Sequence, residues 1–150
     1  MSRRLNRREA LSAGVGVFAA GLASVPGPAR ALNDYADEIK KFTGGKTPVE
    51  GRVKLELPEL AENGNTVPLS VAVDGAAGEG AHLEEILVVA PANPNARVIR
   101  FRFSAASVPE ASTRIRLAET QDVIAVAKLD DGTFLSVSRQ IKVTIGGCGG

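Results

Sequence analysis

The stretch 122–145 reads DVIAVAKLDDGTFLSVSRQIKVTI and predicts the fold more clearly than any other part of the chain. Asp122 to Leu129 reads as one strand, and the Asp130-Asp131-Gly132 that follows is a strong hairpin signal. The next strand, Thr133 to Ile145, carries five apolar residues on one face: Leu135, Val137, Ile141, Val143 and Ile145. The stretch therefore predicts two long strands joined by a hairpin turn.

Upstream of this hairpin, the apolar residues again recur at a spacing of two. The predicted strands are Arg52–Leu57, Thr66–Asp74, Leu83–Ala90, Arg97–Ser104 and Arg114–Leu117. The continuous apolar run in Leu83–Ala90 is typical of a strand buried on both faces. Turn residues separate the strands, for example Glu62-Asn63-Gly64-Asn65 and Asn93-Pro94-Asn95. Seven short strands with such turns predict an all-β fold, an immunoglobulin-like antiparallel β-sandwich.

A short helix is predicted before the strands, over Asn33 to Phe42. Its apolar residues Leu32, Tyr35 or Ala36, Ile39 and Phe42 recur at three- and four-residue spacing, and Gly44-Gly45 ends it. An amphipathic helix of about ten residues is marginal in isolation. We therefore expect its apolar stripe to dock on the domain or on a partner.

Residues 1–31 have the features of a targeting segment. Two arginine pairs, Arg3-Arg4 and Arg7-Arg8, precede a Gly/Ala-rich apolar run from Leu11 to Val25, and Ala29-Arg30-Ala31 resembles a cleavage site of small residues. The run is too short and too weakly apolar for a membrane anchor, which needs about 20 residues. We expect a twin-arginine signal peptide, cleavage after Ala31 and export to the periplasm.

Composition limits the other classes of function. A length of 150 residues predicts one domain, and 44% hydrophobic with 23% charged residues is ordinary for a globular protein. Removing residues 1–31 would leave 13 basic and 16 acidic side chains, changing the net charge from +1 to −3. No basic patch remains to favour nucleic acid.

The chain ends in Gly146-Gly147-Cys148-Gly149-Gly150, which contains its one cysteine. A single cysteine excludes an internal disulfide and a zinc site built from several thiolates. The glycines offer no apolar wall that could bury the sulfur, and they predict a short, mobile arm with an exposed thiol. No Lys, Arg or His lies within five residues of Cys148. Any lowering of the thiol pKa must therefore come from a protein that binds the tail.

Other candidate chemistry is weak. The single histidine, His82, is expected in a loop or at a strand edge, and Glu84-Glu85 at a solvated strand start. Arg100 and Arg102 alternate with Ile99, Phe101 and Phe103, so they are expected on the outward face of a strand. The sequence contains no phosphate loop, no catalytic-triad pattern and no metal-spaced histidine pair. We therefore expect no catalytic residues, no cofactor and no metal.

The glycine-flanked cysteine, the arginine-rich leader, the acidic helix and the β-rich stretch together resemble the SoxY family of sulfur carriers. The resemblance covers the whole chain and implies three parts: a signal peptide (1–31), a carrier domain (32–145) and a carrier arm (146–150). It implies that Cys148 covalently carries thiosulfate-derived S-thiosulfonate, persulfide and S-sulfonate. Glycines 146, 147, 149 and 150 would form the arm. The chain would then be a substrate-carrier subunit and not an enzyme.

The resemblance also implies partners. These are a SoxZ-like β-sandwich subunit in a heterodimer, and transient contacts with a SoxAX-like cytochrome, a SoxB-like hydrolase and a SoxCD-like sulfane dehydrogenase. Two other functions stay open. The chain could be an exported interaction module that is tethered to a partner through a Cys148 disulfide. It could also be a thiol redox enzyme, although the absence of a resolving cysteine and of a nearby base argues against that.

Overall fold

The computed structural model describes residues 35–75 and 80–147 and shows a β-sandwich that follows one helix. In these two ranges no helix has the length and hydrophobicity that crossing a bilayer requires. The bounds of the elements are α1 Tyr35–Thr43, β1 Val49–Glu50, β2 Val53–Glu56, β3 Leu60–Asn63, β4 Val67–Val73, β5 Leu83–Val89, β6 Arg97–Arg102, β7 Glu110–Ile115, β8 Gln121–Leu129 and β9 Phe134–Ile145. The predicted β-sandwich with a short N-terminal helix is confirmed.

The strands form two sheets. The larger has the order β1-β9-β8-β5-β6, with β3 added beside the second half of β9, and the smaller has the order β2-β4-β7. The hairpin predicted at Asp130-Asp131-Gly132 joins β8 to β9, which pair in antiparallel register from Gln121↔Ile141 to Lys128↔Phe134. Strand β9, the last of the described strands, therefore lies inside the larger sheet, between β1 and β8.

The main core lies between the two sheets. In β4 every second residue is buried, and these four side chains, Val67, Leu69, Val71 and Val73, are at most 3% exposed. They belong to one cluster with residues of the opposite sheet, among them Ile86, Val123 and Ile141. The period-two pattern of the sequence thus corresponds to the face that each sheet turns inward.

A second, smaller core lies on the outer face of the larger sheet. Ile86 and Val88 of β5 belong to the main core, whereas Leu87 and Val89 join Phe42 and other residues in this second cluster. Because successive side chains of a strand point to opposite faces, β5 is buried on both sides. The prediction made from its continuous apolar run is confirmed.

Helix α1 covers this second core and docks on its own domain. The rings of Phe42 and Phe134 pack edge to face, with 5.9 Å between their centroids, and Ile39 packs against the same cluster. The helix ends where Gly44 and Gly45 adopt positive φ values of 63° and 86°. The predicted cap Asn33 and the first apolar position Leu32 lie outside the described residues.

The structure differs from the prediction in three places. Two short strands, β1 and β3, were not predicted, and both run parallel to β9 although the main ladders are antiparallel. Strand β7 begins at Glu110, four residues before the predicted start, because this edge strand leaves most of its side chains exposed or half-buried and lacks an apolar pattern. Ile145 was predicted on one face of the last strand with four other apolar residues, but unlike Leu135 and Ile141 it is not buried and is 66% exposed.

Candidate functional site

Strand β9 changes partners before it reaches the terminal glycines. It pairs with β8 as far as Ile141, and from Lys142 to Ile145 it pairs with β3 instead. The backbone N–H of Lys142 donates to the carbonyl of Glu59 at 3.0 Å, which begins this second pairing. The base of the tail is thereby brought to the turn that follows β3.

Three backbone hydrogen bonds then hold the base of the tail. The N–H of Gly64 donates to the carbonyl of Ile145 at 2.7 Å, and the N–H of Leu117 donates to the carbonyl of Gly64 at 2.8 Å. The N–H of Gly147 donates to the carbonyl of Leu117, also at 2.8 Å. We call these three bonds the tail clamp. They tie the turn after β3, the loop after β7 and the end of β9 to one another.

Glycine is required in the clamp because the backbones approach so closely. A Cβ on Gly64 would collide with the carbonyl oxygen of Leu117, and one on Gly146 would collide with that of Ala118. A Cβ on Gly147 would lie 2.8 Å from the carbonyl oxygen of Gly64. None of the three glycines has a φ in the left-handed region. Their absent side chains, and not their conformational freedom, make the contact possible.

This arrangement corrects the expectation that the mobile arm begins at Gly146. Gly147 is buried and Gly146 is half-buried, and both belong to the folded domain because the clamp holds them on the loops beside β9. The other arm glycines, Gly149 and Gly150, lie outside the described residues, as does the predicted carrier residue Cys148. In the described part of the chain, the candidate site is therefore the base of the tail, up to Gly147.

A buried asparagine fixes the loop that accepts the tail. Asn93 is 2% exposed, and its Nδ2 donates to the carbonyl of Arg116 at 2.9 Å. Its Oδ1 accepts the N–H of Ala118 at 2.9 Å and an N–H from Gln121 Nε2 at 3.1 Å. The amide thus holds the backbone on both sides of Leu117, whose carbonyl accepts the N–H of the tail.

Gln121 and Thr120 complete the support of this loop. Gln121, 7% exposed, accepts the N–H of Ala92 on its Oε1 at 2.8 Å and donates from Nε2 to the carbonyl of Glu119 at 3.1 Å. The hydroxyl oxygen of Thr120 accepts the N–H of Val143 at 2.9 Å, which joins the loop to β9. Asn93 and Gln121 are both buried, and a satisfied buried polar network rigidifies the segment that it holds.

The other predicted side chains have structural partners away from any cluster of ligands. The ring Nδ1 of His82 lies 3.2 Å from Asp130 Oδ2, and the backbone N–H of His82 donates to Asp130 Oδ1 at 2.8 Å. Lys128 Nζ lies 2.6 Å from Glu84, and this hydrogen bond raises the pKa of the lysine. Within residues 35–75 and 80–147, no three His, Cys, Asp or Glu side chains lie close enough to hold a metal.

The outward arginines of β6 also have structural roles. Arg102 Nε lies 3.2 Å from Glu85, and a guanidinium nitrogen of Arg100 lies 3.6 Å from the same carboxylate. Arg100 also lies over the ring of Phe42, at 5.0 Å from its centroid, and so helps to hold α1 on the sheet. The prediction that these arginines form the outward face of a strand is confirmed.

Two further pKa shifts also arise from surface contacts. Asp74 Oδ1 lies 2.9 Å from Lys54 Nζ, and the hydrogen bond raises the pKa of that lysine. The N–H of Thr133 donates to Asp131 Oδ1 at 2.8 Å, which lowers the pKa of this carboxyl group in the hairpin turn. Each shift is what a hydrogen bond to the charged form produces.

Sequence reasoning missed the residues that hold the tail. Gly64 and Asn93 were read only as turn residues, and Gln121 was not singled out. No local signal could have found them, because their role depends on contacts between segments that lie far apart in the sequence. The sequence did identify the tail itself, because its glycines and its cysteine are adjacent in the sequence.

Comparison with known proteins adds the family. The model of the family described as "Sulfur oxidation protein SoxY" matches residues 39–148. The solved structure of the sulfur carrier protein SoxY from Chlorobium limicola f thiosulfatophilum is 31% identical, with a TM-score of 0.61, and the match covers 73% of this chain and 96% of that one. A comparison with curated proteins found no match.

The sandwich itself is shared more widely. The superoxide reductase (neelaredoxin) from Ignicoccus hospitalis is 17% identical, with a TM-score of 0.54 and coverage of 62% of this chain and 80% of that one. The putative superoxide reductase from Thermotoga maritima is 19% identical, with a TM-score of 0.53 and coverage of 68% and 89%. At such identities the likeness shows the fold alone. The family match, in contrast, extends over most of the chain and up to the cysteine, so the chain belongs to the SoxY family of sulfur oxidation proteins.

Proposed function

We propose that this protein is a sulfur carrier, which holds pathway intermediates covalently on Cys148 during thiosulfate oxidation. One observation supports this most directly: the family match ends at residue 148, the position of the chain's single cysteine. The related Chlorobium protein is described as a sulfur carrier. The tail clamp adds a physical reason, because it holds the residue before the cysteine on the loop after β7 of the sandwich.

The chemistry needs only a thiolate on this chain. The Cys148 sulfur would join the outer sulfur of thiosulfate to give Cys–S–S–SO₃⁻, and the two electrons would leave to a SoxAX-like cytochrome. Water would then release sulfate, catalysed by a SoxB-like hydrolase, and leave a persulfide. A SoxCD-like dehydrogenase would remove six electrons from the persulfide while three water molecules supply the oxygen atoms, which gives Cys–S–SO₃⁻ and releases six protons. A second hydrolysis would release sulfate and restore the thiol. Cysteine sulfur supports such bonds because it forms and exchanges S–S bonds through the thiolate.

Assembly with a SoxZ-like β-sandwich subunit is part of the proposal and rests on the family. Helix α1 gives no independent support, since it docks on its own sheet and needs no partner to cover Phe42. Co-purification as a 1:1 complex is the expected result. A stable monomer that ignores the second subunit in sizing experiments would argue against the heterodimer.

Export to the periplasm by the twin-arginine route is likewise proposed from the leader. Replacing Arg3, Arg4, Arg7 and Arg8 with lysine should leave uncleaved precursor in the cytoplasm. Normal export of that variant would contradict the twin-arginine route. A mature chain that does not begin near Leu32 would contradict cleavage after Ala31.

The decisive experiment compares wild type with Cys148→Ser in thiosulfate-grown cells. We expect the serine variant to fold and to bind its partner, but to form no thiosulfate-dependent sulfate when no other carrier is present. Intact-mass analysis of the wild type should show small sulfur adducts. A protein-sized adduct would favour a disulfide tether, turnover by the isolated chain would favour a redox enzyme, and sulfate formation by the serine variant would exclude Cys148 as the attachment point.

A further inference from the structure

We propose that Gly64 is a positioning residue for sulfur transfer, because it fastens the base of the cysteine tail to one edge of the sandwich. This inference rests on the proposed carrier function for its meaning. It concerns described residues that act through their backbone hydrogen bonds and that have no reactive side chain. The enzymes that process the tail would therefore meet the cysteine at a fixed exit point and not on an arm that swings from Gly146.

The first argument is that Gly64 bonds to both neighbouring segments with the same peptide unit. Its N–H donates to the carbonyl of Ile145 at 2.7 Å, and its carbonyl accepts the N–H of Leu117 at 2.8 Å. Leu117 in turn accepts the N–H of Gly147 at 2.8 Å. The tail is thus bonded at the residue before Gly146 and at the residue after it, so it cannot pivot at Gly146 while the clamp is closed.

The second argument is that the receiving loop is itself rigid. The side chain of Leu117 is fully buried in the main core, and Asn93 bonds the backbone on either side of it. A carbonyl held in this way keeps its direction, so the bond to Gly147 also sets the direction in which the chain leaves the domain. An alternative rotation at this loop would leave buried polar groups of Asn93 without partners, which is unfavourable.

The third argument is one of length. Cys148 follows Gly147 directly, so its Cα lies about 3.8 Å from the Cα of Gly147, the residue that the clamp holds. An arm pivoting at Ile145 would have three free residues, Gly146 to Cys148, and a reach of roughly 10 Å. With the clamp closed, a processing enzyme must approach the surface around the turn after β3 and the loop after β7. A fixed exit point also lowers the entropy lost when the tip enters the enzyme's cleft.

The test uses the full chain in complex with its partner subunit, and compares Gly64→Ala with Gly132→Ala. Both are glycine-to-alanine changes in turns next to β9, but only the first touches the clamp. A nitroxide attached to Cys148 should give broad lines in wild type and in Gly132→Ala, and clearly narrower lines in Gly64→Ala. Equal line shapes in a folded Gly64→Ala protein would overturn the proposal.

Kinetics separate positioning from simple loss of folded protein. With the carrier as the substrate of a hydrolase or cytochrome, we expect Gly64→Ala to raise KM at least threefold and to leave kcat within twofold of wild type. The reason is that the tail clamp affects how readily the tail binds to the enzyme, whereas the groups that catalyse the reaction are those of the enzyme. Because unfolded carrier would lower the true substrate concentration and so raise the apparent KM, KM is calculated from the concentration of folded carrier, measured by circular dichroism for each variant. A KM equal to that of wild type after this correction contradicts positioning.

If Gly64→Ala does not fold, amide hydrogen exchange of the wild type decides the matter. The N–H groups of Gly64 and Gly147 should exchange at least tenfold more slowly than that of Gly149. Equal rates for Gly147 and Gly149 would show that the clamp is open and would overturn the proposal. These spectroscopic tests do not depend on sulfur chemistry, so they can fail while Cys148→Ser still abolishes sulfate formation, and the reverse also holds.

Discussion

The two ends of strand β9 both use glycine, but for different reasons. At its start, Gly132 in the hairpin has a φ of 80°, and an added Cβ would meet only the flexible end of Lys46, at 3.3 Å. At its other end, Gly146 has no left-handed φ, yet an added Cβ would collide with the carbonyl of Ala118. The first glycine satisfies a local conformation, and the second permits contact between distant segments. Substitutions at the two ends should therefore differ in size and in what they disturb.

The largest effect is expected from Asn93→Leu, which removes the support of the tail clamp at similar side-chain volume. It leaves the carbonyl of Arg116 and the N–H of Ala118 without their partner. We expect the free energy of unfolding to fall by about 3 kcal/mol, since each unsatisfied buried group costs about 1–3 kcal/mol. Denaturant unfolding measures this loss. A loss no larger than that of a hairpin variant would show that the loop does not depend on Asn93.

Gly146→Ala should have the next largest effect. The loop at Ala118 is fixed, so the tail must move away and give up the hydrogen bonds made by Ile145 and Gly147. We expect a loss of about 2 kcal/mol for these two bonds and their desolvated groups. Denaturant unfolding gives the loss, and hydrogen exchange should show faster exchange at Gly64 and unchanged exchange in the hairpin. Unchanged protection of Gly64 would contradict the predicted displacement.

Gly132→Ala provides the matched change at the other end of the strand. The cost should be about 1 kcal/mol, that of placing an L-residue in a left-handed conformation. The tail clamp should keep its hydrogen-exchange protection, because nothing in it contacts the hairpin turn. If this variant proved as destabilising as Gly146→Ala, the distinction between local and long-range glycines would fail.

The smallest effect is expected from Asp131→Asn. The N–H of Thr133 lowers the pKa of Asp131 below its ordinary value of 3.8, so the folded state favours the charged carboxylate. The stability it contributes is present above that ordinary value and is lost as the pH falls through the lowered pKa of the folded state. The variant should melt slightly below wild type at about pH 7, and the difference should shrink as the pH falls through the lowered pKa of Asp131. A difference in melting temperature that is as large in acid as at neutral pH would show that the effect does not come from the charge of the Asp131 carboxylate.

The same contrast explains how much of the fold the sequence predicts. The Asp-Asp-Gly turn, the alternation in β4 and the two-sided burial of β5 follow from neighbouring residues, and the structure confirms them. Strand β3 could not be predicted in the same way. Only one of its four residues is buried, and its partner in the sheet lies some 80 residues further along the chain. Its pairing is decided by the tertiary fold and not by its own pattern.

The candidate site also has one part that could be predicted from neighbouring residues and one part that depends on the tertiary fold. The tail could be identified from Gly146-Gly147-Cys148 alone, and its glycines were interpreted as sources of freedom. For Gly146 and Gly147 that interpretation is wrong, since what matters is the space left by a missing side chain. A sequence shows that a residue is glycine, but the neighbour that requires it becomes visible only when the chain has folded.

The place of β9 inside the larger sheet, between β1 and β8, bears on how the protein is made. Strand β9 follows the other described strands in the sequence and joins elements made much earlier, so neither the sheet nor the second core with Phe134 can be completed before β9 has been synthesised. A translation product that stops before Phe134 lacks its inner strand and its thiol together. Premature termination at such a point therefore gives an unfolded fragment for proteolysis, and not a stable domain that could occupy the partners of the intact protein without carrying sulfur.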